Sequence, residues 1–156
     1  MSRMKKIGLA VLILLVGIQL IQPARNSSGQ VPATDISKTV FIPENVKSLL
    51  QTACNDCHSN NTNYPWYAII QPMGWLLANH IKDGKAELNF NEFGSYSERR
   101  QQSKLKSIAS QVKDDEMPLA SYAFLHKNAK LTKEQKALII DWALQAKDGL
   151  EQNKRQ

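Results

Sequence analysis

Two cysteines and a histidine lie together in the segment Cys54-Asn55-Asp56-Cys57-His58. This C-x-x-C-H spacing is the pattern of covalent c-type haem attachment. Thiols at positions i and i+3 of a helix lie one turn apart, where each can add to one of the two haem vinyl groups. The histidine that follows projects from the same face and can reach the iron. The segment therefore predicts haem c attached at Cys54 and Cys57, with His58 as an iron ligand.

The same cysteines leave two alternatives open. They are the only cysteines in the chain, so no second C-x-x-C pair can complete a four-cysteine zinc site. In an oxidising compartment they could instead form a redox dithiol of the thioredoxin kind. That chemistry usually needs a first cysteine that opens a helix after a strand, whereas these cysteines close an apolar-periodic helix. A haem-free dithiol protein and a metal site are therefore less favoured than haem.

An electron-transfer haem usually has a second axial ligand, and the sequence offers Met73, His80, Met117 and His126. Met117 is favoured because it lies in a loop between two predicted helices, where Pro118 stiffens the backbone. Met73 and His80 fall on apolar faces of a predicted helix and are expected to be packing residues. His126 follows an apolar stretch near the end of a loop.

Aromatic residues cluster directly after the motif, at Tyr64, Trp66, Tyr67 and Trp75. Such side chains could wall a haem from water and donate a hydrogen bond to a propionate. The alternative is plain core packing, and both remain open because haem is itself part of the core in a small domain. We expect Tyr64, Trp66 and Trp75 at the cofactor, whereas Trp142 should pack the last helix against the first.

A basic N-terminus precedes a long apolar run, since Arg3, Lys5 and Lys6 lead into Ile7–Ile21. This order indicates an export signal or a short anchor. Fifteen helical residues span about 22 Å, less than the roughly 30 Å hydrocarbon core, and no small-x-small cleavage site follows directly. We expect residues 1–22 to form an uncleaved inner-membrane anchor with the domain in the periplasm. The alternative is a cleaved signal and a periplasmic protein.

The net charge of +6 does not indicate nucleic-acid binding. Residues 1–30 hold four basic and no acidic residues, so the remaining chain carries 16 basic against 14 acidic groups. Two ionised haem propionates would cancel the remaining charge of +2. No basic stripe is left to follow a phosphate backbone.

The rest of the chain divides into a linker over residues 23–40, a domain over residues 41–150 and a tail over residues 151–156. Apolar periodicity predicts four helices in the domain and no convincing strand. The first helix runs from Pro43 to His58, and the second from Pro72 to Lys82 with Gly84 as its C-cap. The third begins with a capping box of Ser95 and Glu98, and the fourth begins with a second capping box of Thr132 and Gln135 and ends at Gly149.

Five segments occur in order along the domain: C-N-D-C-H-S-N-N-T-N-Y-P-W-Y (54–67), E-L-N-F-N-E-F (87–93), Y-S-E-R-R (96–100), E-M-P-L-A-S-Y (116–122) and L-T-K-E-Q-K-A-L-I-I-D-W (131–142). With them, the stretch from Phe41 to Trp142 resembles the small bacterial haem-binding domain family, a c-type-cytochrome-like group. The resemblance implies haem binding at Cys54, Cys57 and His58. It leaves the physiological role open.

These observations predict an all-α fold: a class I cytochrome c-like bundle of about four helices with long loops around one haem, preceded by an N-terminal membrane helix. The predicted function is that of a membrane-tethered monohaem cytochrome that carries electrons in the periplasm, which is favoured over an enzyme. Ligation by His58 and Met117 would raise its reduction potential relative to two histidines. The alternative is an open sixth site, as in a peroxidase-like protein or a gas or haem sensor. A peroxidase needs a distal acid–base residue, for which only His80, His126 or acidic residues outside any motif are available. The redox partner and the oligomeric state are not predicted.

Overall fold

The computed structural model describes residues 2–153, and within that range the chain is helical with no β-strand. It forms eight α-helices: α1 Arg3–Ile18, α2 Ile36–Thr39, α3 Glu44–Ala53, α4 Asn55–His58, α5 Met73–Glu87, α6 Glu98–Lys113, α7 Ala120–Leu125 and α8 Lys133–Asn153. Short 3-10 turns occur at Trp66–Ile69, Phe90–Ser95 and Lys127–Ala129. The all-α prediction is confirmed. The predicted count of about four helices is too low, because short helices occupy stretches that were expected to be loops.

The main core lies between α3, α6 and α8, and α6 packs against α8. Phe93, Leu105 and Ile139 are fully buried at its centre. The indole Nε1 of Trp142 donates a hydrogen bond of 3.0 Å to the carbonyl oxygen of Phe41. Trp142 is itself buried in the core. The last helix is thus fixed to the segment that enters α3, as expected from the sequence.

The start of α8 has the predicted capping box. The amide of Gln135 donates to Thr132 Oγ1 at 3.2 Å, and the amide of Thr132 donates to Gln135 Oε1 at 2.8 Å. These bonds satisfy amides that the first helical turn leaves unpaired. The predicted stop at Gly149 is wrong, because α8 continues to Asn153. Residues 154–156 of the predicted tail lie outside the described residues.

The predicted capping box of Ser95 and Glu98 is also wrong. Helix α6 begins one residue after Ser97, and Ser95 Oγ instead donates to the carbonyl oxygen of Glu92 at 2.6 Å. Ser95 therefore ends the preceding 3-10 turn. The helix behind it has the predicted apolar stripe, with Leu105 among the residues that face the core.

Residues 23–40, predicted as a linker, are packed against the domain. Ile36 and Val40 belong to the main core. The amide of Gly94 donates to the carbonyl oxygen of Thr34 at 2.7 Å, and α2 packs against the Phe90–Ser95 turn. The folded unit therefore begins well before Phe41. Composition suggested a linker because the few apolar residues of this stretch are widely spaced.

Helix α1 has 16 residues, none of them buried. Its length corresponds to about 24 Å. Among residues 2–153, no helix is both long enough and apolar enough to cross a membrane. The N-terminal membrane-spanning helix expected from the sequence is therefore not found.

Candidate functional site

The motif cysteines lie at a break between two helices. Cys54 ends α3 with φ −127°, and its amide donates to the carbonyl oxygen of Leu50 at 2.9 Å. Helix α4 then forms a separate turn, in which the amide of His58 donates to the carbonyl oxygen of Cys54 at 3.0 Å. The prediction of one continuous helix through His58 is wrong at Cys54. The one-turn spacing of Cys54, Cys57 and His58 is nevertheless kept, because the bond between residues 54 and 58 has α-helical register.

Helix α5 is longer than predicted and packs directly against α4. It continues through Gly84, the predicted C-cap, and ends at Glu87. A Cβ atom on Gly84 would lie only 2.8 Å from the carbonyl oxygen of Cys57. Glycine is therefore needed here for the close approach of two helix backbones, not for the end of a helix.

A cavity of about 430 Å³ opens beside α4. Cys54, Cys57 and His58 line it, together with Met117 and His80. The apolar part of the remaining wall comes from Ala53, Leu88, Phe90, Ile108, Val112 and Leu119, and the polar part from Asp83, Glu87, Lys104, Ser107, Gln111 and Tyr122. A cavity of this size, with apolar walls and a few polar groups, has the usual properties of a cofactor site.

His58 is held in one tautomer. Its Nδ1 lies 2.9 Å from the carbonyl oxygen of Leu88, which can only accept, so Nδ1 carries the proton. The Nε2 lone pair is then free for a metal, and the backbone bond fixes the ring orientation. Burial lowers the pKa of His58, so the imidazole is neutral at neutral pH, as a metal ligand must be.

Both motif thiols are protonated at neutral pH in the cofactor-free protein. Burial raises the pKa of Cys54 to about 12, and the neighbouring Cys57 adds to the effect. Burial also raises the pKa of Cys57 to about 11, with a further contribution from the charge of Asp56. Redox dithiols depend on a lowered thiol pKa. The environment of these cysteines therefore disfavours the dithiol alternative.

The four candidates for the distal ligand fall in different places. Met117 and His80 line the cavity, whereas Met73 is 36% exposed and is not the buried packing residue that its helical position predicted. Met117 is half-buried in the loop after α6, where its amide donates to the carbonyl oxygen of Gln111 at 3.2 Å. Two candidates, Met117 and His80, thus share a cavity with His58.

Both ring nitrogens of His126 are already engaged. Its Nδ1 lies 3.1 Å from the carbonyl oxygen of Tyr122, so Nδ1 donates, and its Nε2 accepts from the Tyr67 hydroxyl at 3.4 Å. The imidazole also stacks on the Tyr122 ring at 4.1 Å between centroids. His126 is therefore a structural residue of α7, and Tyr67 is its partner.

The three aromatic residues predicted at the cofactor, Tyr64, Trp66 and Trp75, do not line the cavity. The Tyr64 hydroxyl accepts from the amide of Asn26 at 2.6 Å, Trp66 is 77% exposed, and Trp75 Nε1 donates to a backbone carbonyl near the end of α1. Trp75 lies five residues before His80, about 140° around the helix, which points it away from the cavity. Their closeness to the motif in the sequence therefore does not bring these aromatic side chains to the cavity.

Sequence reasoning gave no role to Tyr122 and Asp56, which form a hydrogen bond at the cavity wall. The Tyr122 hydroxyl donates to Asp56 Oδ2 at 2.6 Å, and Asp56 Oδ1 accepts from the amide of Asn63 at 2.9 Å. Burial, together with this bond and the charge of Asp56, raises the pKa of Tyr122, so its hydroxyl remains a donor. The bond connects the motif to α7. The only sequence signal was the tyrosine that ends E-M-P-L-A-S-Y.

A buried polar network supports the turn that follows the motif. Asn89, only 1% exposed, donates through Nδ2 to Asn60 Oδ1 at 2.9 Å, and Asn91 Nδ2 donates to Asp35 Oδ2 at 2.8 Å. The amide of Asn60 in turn donates to Asn91 Oδ1 at 2.7 Å. Satisfied buried networks of this kind make local structure rigid. This network accounts for Asn89 and Asn91, the two asparagines of the segment E-L-N-F-N-E-F.

Two thiols, a histidine with a free Nε2 and an apolar cavity of suitable size together fit a haem-binding protein. The sequence matches the haem-binding domain family over residues 13–145, a range that contains the whole cavity, and the chain belongs to this family. No curated protein and no solved structure matches the chain. The class I cytochrome c-like arrangement therefore stays a prediction.

Proposed function

We propose that this protein is a monohaem c-type cytochrome that carries electrons. The observation that supports the proposal most is that Cys54, Cys57, His58 and Met117 line one largely apolar cavity. Cys54 and Cys57 would hold the haem through thioether bonds, and His58 Nε2 and Met117 would ligate its iron. The haem supplies a one-electron ferric–ferrous couple.

Residues that line the cavity would set the reduction potential of this ferric–ferrous couple. The hydrogen bond from His58 Nδ1 to the carbonyl oxygen of Leu88 fixes the orientation of the imidazole and makes Nε2 a stronger electron-pair donor to the iron. The thioether of Met117 is a soft, neutral ligand that favours ferrous iron and raises the potential relative to a second histidine. Apolar side chains, including Phe90 and Val112, would surround much of the haem, whereas His80 in the same cavity is the residue that a peroxidase-like alternative would use as its acid–base group.

Covalent attachment is tested by extraction. Protein matured with a c-type haem assembly system should keep its haem on the polypeptide in acid–acetone, because thioether bonds survive that treatment. The double variant Cys54→Ser/Cys57→Ser should retain none. Complete extraction of haem from the unaltered protein would disprove the assignment of the motif.

The distal ligand is tested by substitution within the cavity. Met117→Ala should abolish the near-infrared band of methionine-ligated ferric haem, make the iron partly high-spin and allow carbon monoxide to bind. His80→Ala, in the same cavity, and Met73→Ala, outside it, are the matched controls and should leave the band unchanged. If His80→Ala opens the sixth site and Met117→Ala does not, the iron is bound by two histidines. A high-spin spectrum in the unaltered protein would instead favour an open-site haem protein.

The proposal also includes export. Covalent haem attachment takes place outside the cytoplasm, and basic residues precede the apolar helix α1 in the order of an export signal. An alkaline phosphatase fusion after Lys38 should therefore be active. An inactive fusion, with a stable fusion protein present, would contradict export. The redox partner would be a protein of the same compartment.

A further inference from the structure

A group of exposed apolar side chains lies in a part of the chain without formal charge. Between Asp56 and Lys82 the sequence has no Lys, Arg, Asp or Glu. Within this stretch the following side chains are exposed, by the fractions given: Trp66 77%, Ile69 57%, Ile70 44%, Met73 36% and Leu76 47%. We call these five side chains the 66–76 surface. Several exposed apolar side chains within one short segment are typical of contact with a partner or a membrane.

The 66–76 surface is attached to the end of α1 by hydrogen bonds. Gln19 Oε1 accepts from the amide of Gln71 at 2.8 Å, and Gln22 Nε2 donates to the carbonyl oxygen of Ile69 at 3.0 Å. Gln71 is only 3% exposed, and its Nε2 donates to Gln22 Oε1 at 3.1 Å. The hydrogen bonds among Gln19, Gln22 and residues 69–71 therefore fix the position of the C-terminal end of α1 relative to the 66–76 surface.

Trp75 makes a further hydrogen bond between α5 and the residues that follow α1. Its Nε1 donates to the carbonyl oxygen of Ile21 at 2.9 Å, and Ile21 is itself 62% exposed. Leu20 is 85% exposed. Exposed apolar side chains therefore continue from the C-terminal end of α1 through residues 20 and 21 to the 66–76 surface.

The composition of helix α1 indicates that the partner of the 66–76 surface is a lipid membrane. It is apolar and exposed around its circumference, it carries no charge after Lys6, and it begins with Arg3, Lys5 and Lys6. A helix that is apolar on every side is stabilised by apolar surroundings and not by water, and basic residues at its end are attracted to anionic lipid headgroups. Trp and Tyr at an apolar–polar boundary favour the headgroup region of a bilayer.

We propose that the 66–76 surface contacts the same lipid bilayer as α1, so that the haem domain rests against the headgroups in one orientation. The surface is outside the cavity, so the proposal depends on export to a membrane and not on haem attachment. It assigns Trp66, Ile69 and Leu76 a role that the cofactor site does not give them.

The test uses the full chain in vesicles of phosphatidylcholine and phosphatidylglycerol that contain a lipid with a diazirine on its acyl chain. After irradiation and digestion, mass spectrometry should find lipid adducts on α1 and on residues 66–76, and none on α6 or α8. Vesicles of phosphatidylcholine alone should lower the adducts on α1 and on residues 66–76 by the same factor, because the basic residues of α1 recruit the chain and the five side chains of the 66–76 surface carry no charge. A loss confined to residues 66–76 would contradict an apolar contact.

The variant Ile69→Glu/Leu76→Glu should reduce adducts on residues 66–76 by about tenfold, equivalent to about 1.4 kcal/mol, and leave those on α1 unchanged. Phe41→Glu is the matched control, since Phe41 is 85% exposed in a different part of the fold. Circular dichroism should show unchanged helix content in both variants. Adducts confined to α1 in the unaltered protein would overturn the proposal, as would crosslinks between two chains through residues 66–76. Because the readout does not involve haem, either result leaves the proposed electron carriage to be decided by its own experiments.

Discussion

Replacement of Gly84 by alanine tests the close approach of α5 to the haem motif. The new Cβ would lie 2.8 Å from the carbonyl oxygen of Cys57 and 3.2 Å from its Cβ, whereas ordinary contacts lie at 3.4–4 Å. Neither atom can rotate away, so α5 and α4 must separate by about 0.6 Å. Overpacking against a backbone should cost about 3 kcal/mol, at the upper end of the usual range. The higher helix propensity of alanine offsets about 1 kcal/mol.

The net expectation for Gly84→Ala is a loss of about 2 kcal/mol in the free energy of unfolding, or about 4–8 °C in Tm for a chain of this size. Gly149→Ala is the matched control, because Gly149 is also inside a helix and no atom lies within 4 Å of its added Cβ. That variant should gain about 0.5–1 kcal/mol. Urea unfolding followed by circular dichroism measures both free energies. If Gly84→Ala is as stabilising as Gly149→Ala, the two helices are not in close contact and the reasoning fails.

Three further predictions concern the cavity and the core. Tyr122→Phe removes the 2.6 Å bond to Asp56 and should lower the free energy of unfolding by about 1.5–3 kcal/mol in urea denaturation. In the cofactor-free protein, iodoacetamide should alkylate Cys57 about threefold faster than Cys54, because the pKa of Cys57 is raised to about 11 and that of Cys54 to about 12, and the larger thiolate fraction outweighs the lower nucleophilicity of the Cys57 thiolate. Both rates should rise about tenfold per pH unit between about pH 7 and 9, since only the thiolate reacts. Phe93→Ala empties a fully buried position and should cost about 3–5 kcal/mol in the same urea experiment.

The two substitution predictions each have a control in the chain. Tyr67→Phe removes a longer bond of 3.4 Å to His126 and should cost less than about 1 kcal/mol. Phe124→Ala, at a side chain that is 83% exposed, should change stability by less than about 0.5 kcal/mol. Equal losses for the two phenylalanines would contradict the assigned core. A rate of alkylation that is constant across this pH range would show that the thiols are not held in their protonated form.

Local sequence signals predicted the features that depend on neighbouring residues. The capping box of Thr132 and Gln135 forms as expected because both partners lie within one turn. The apolar stripe of α6 is correct for the same reason, since positions three and four apart fall on one helix face. Cys54, Cys57 and His58 line one cavity because they lie within five consecutive residues, and local structure sets the relative position of such near neighbours.

Features that depend on contacts between distant segments could not be predicted in this way. The bond between Asp56 and Tyr122 joins residues 66 positions apart, and that between Asp35 and Asn91 joins residues 56 positions apart. No periodicity or local motif carries such pairings. Gly84 was misassigned for the same reason, because a glycine that ends a helix and one that admits a second backbone look identical in sequence.

The bonds made by Asn26 determine how short this chain can be made. Asn26 Nδ2 donates to the carbonyl oxygen of Ser59 at 2.8 Å, and Lys85 Nζ donates to Asn26 Oδ1 at 2.6 Å, so one side chain joins the turn after the motif to α5. A truncated chain that begins at Phe41, the boundary suggested by composition, would also lose Ile36 and Val40 from the core. A fusion or a transplanted domain should therefore start no later than Arg25, with the whole of residues 26–40 retained as part of the folding unit.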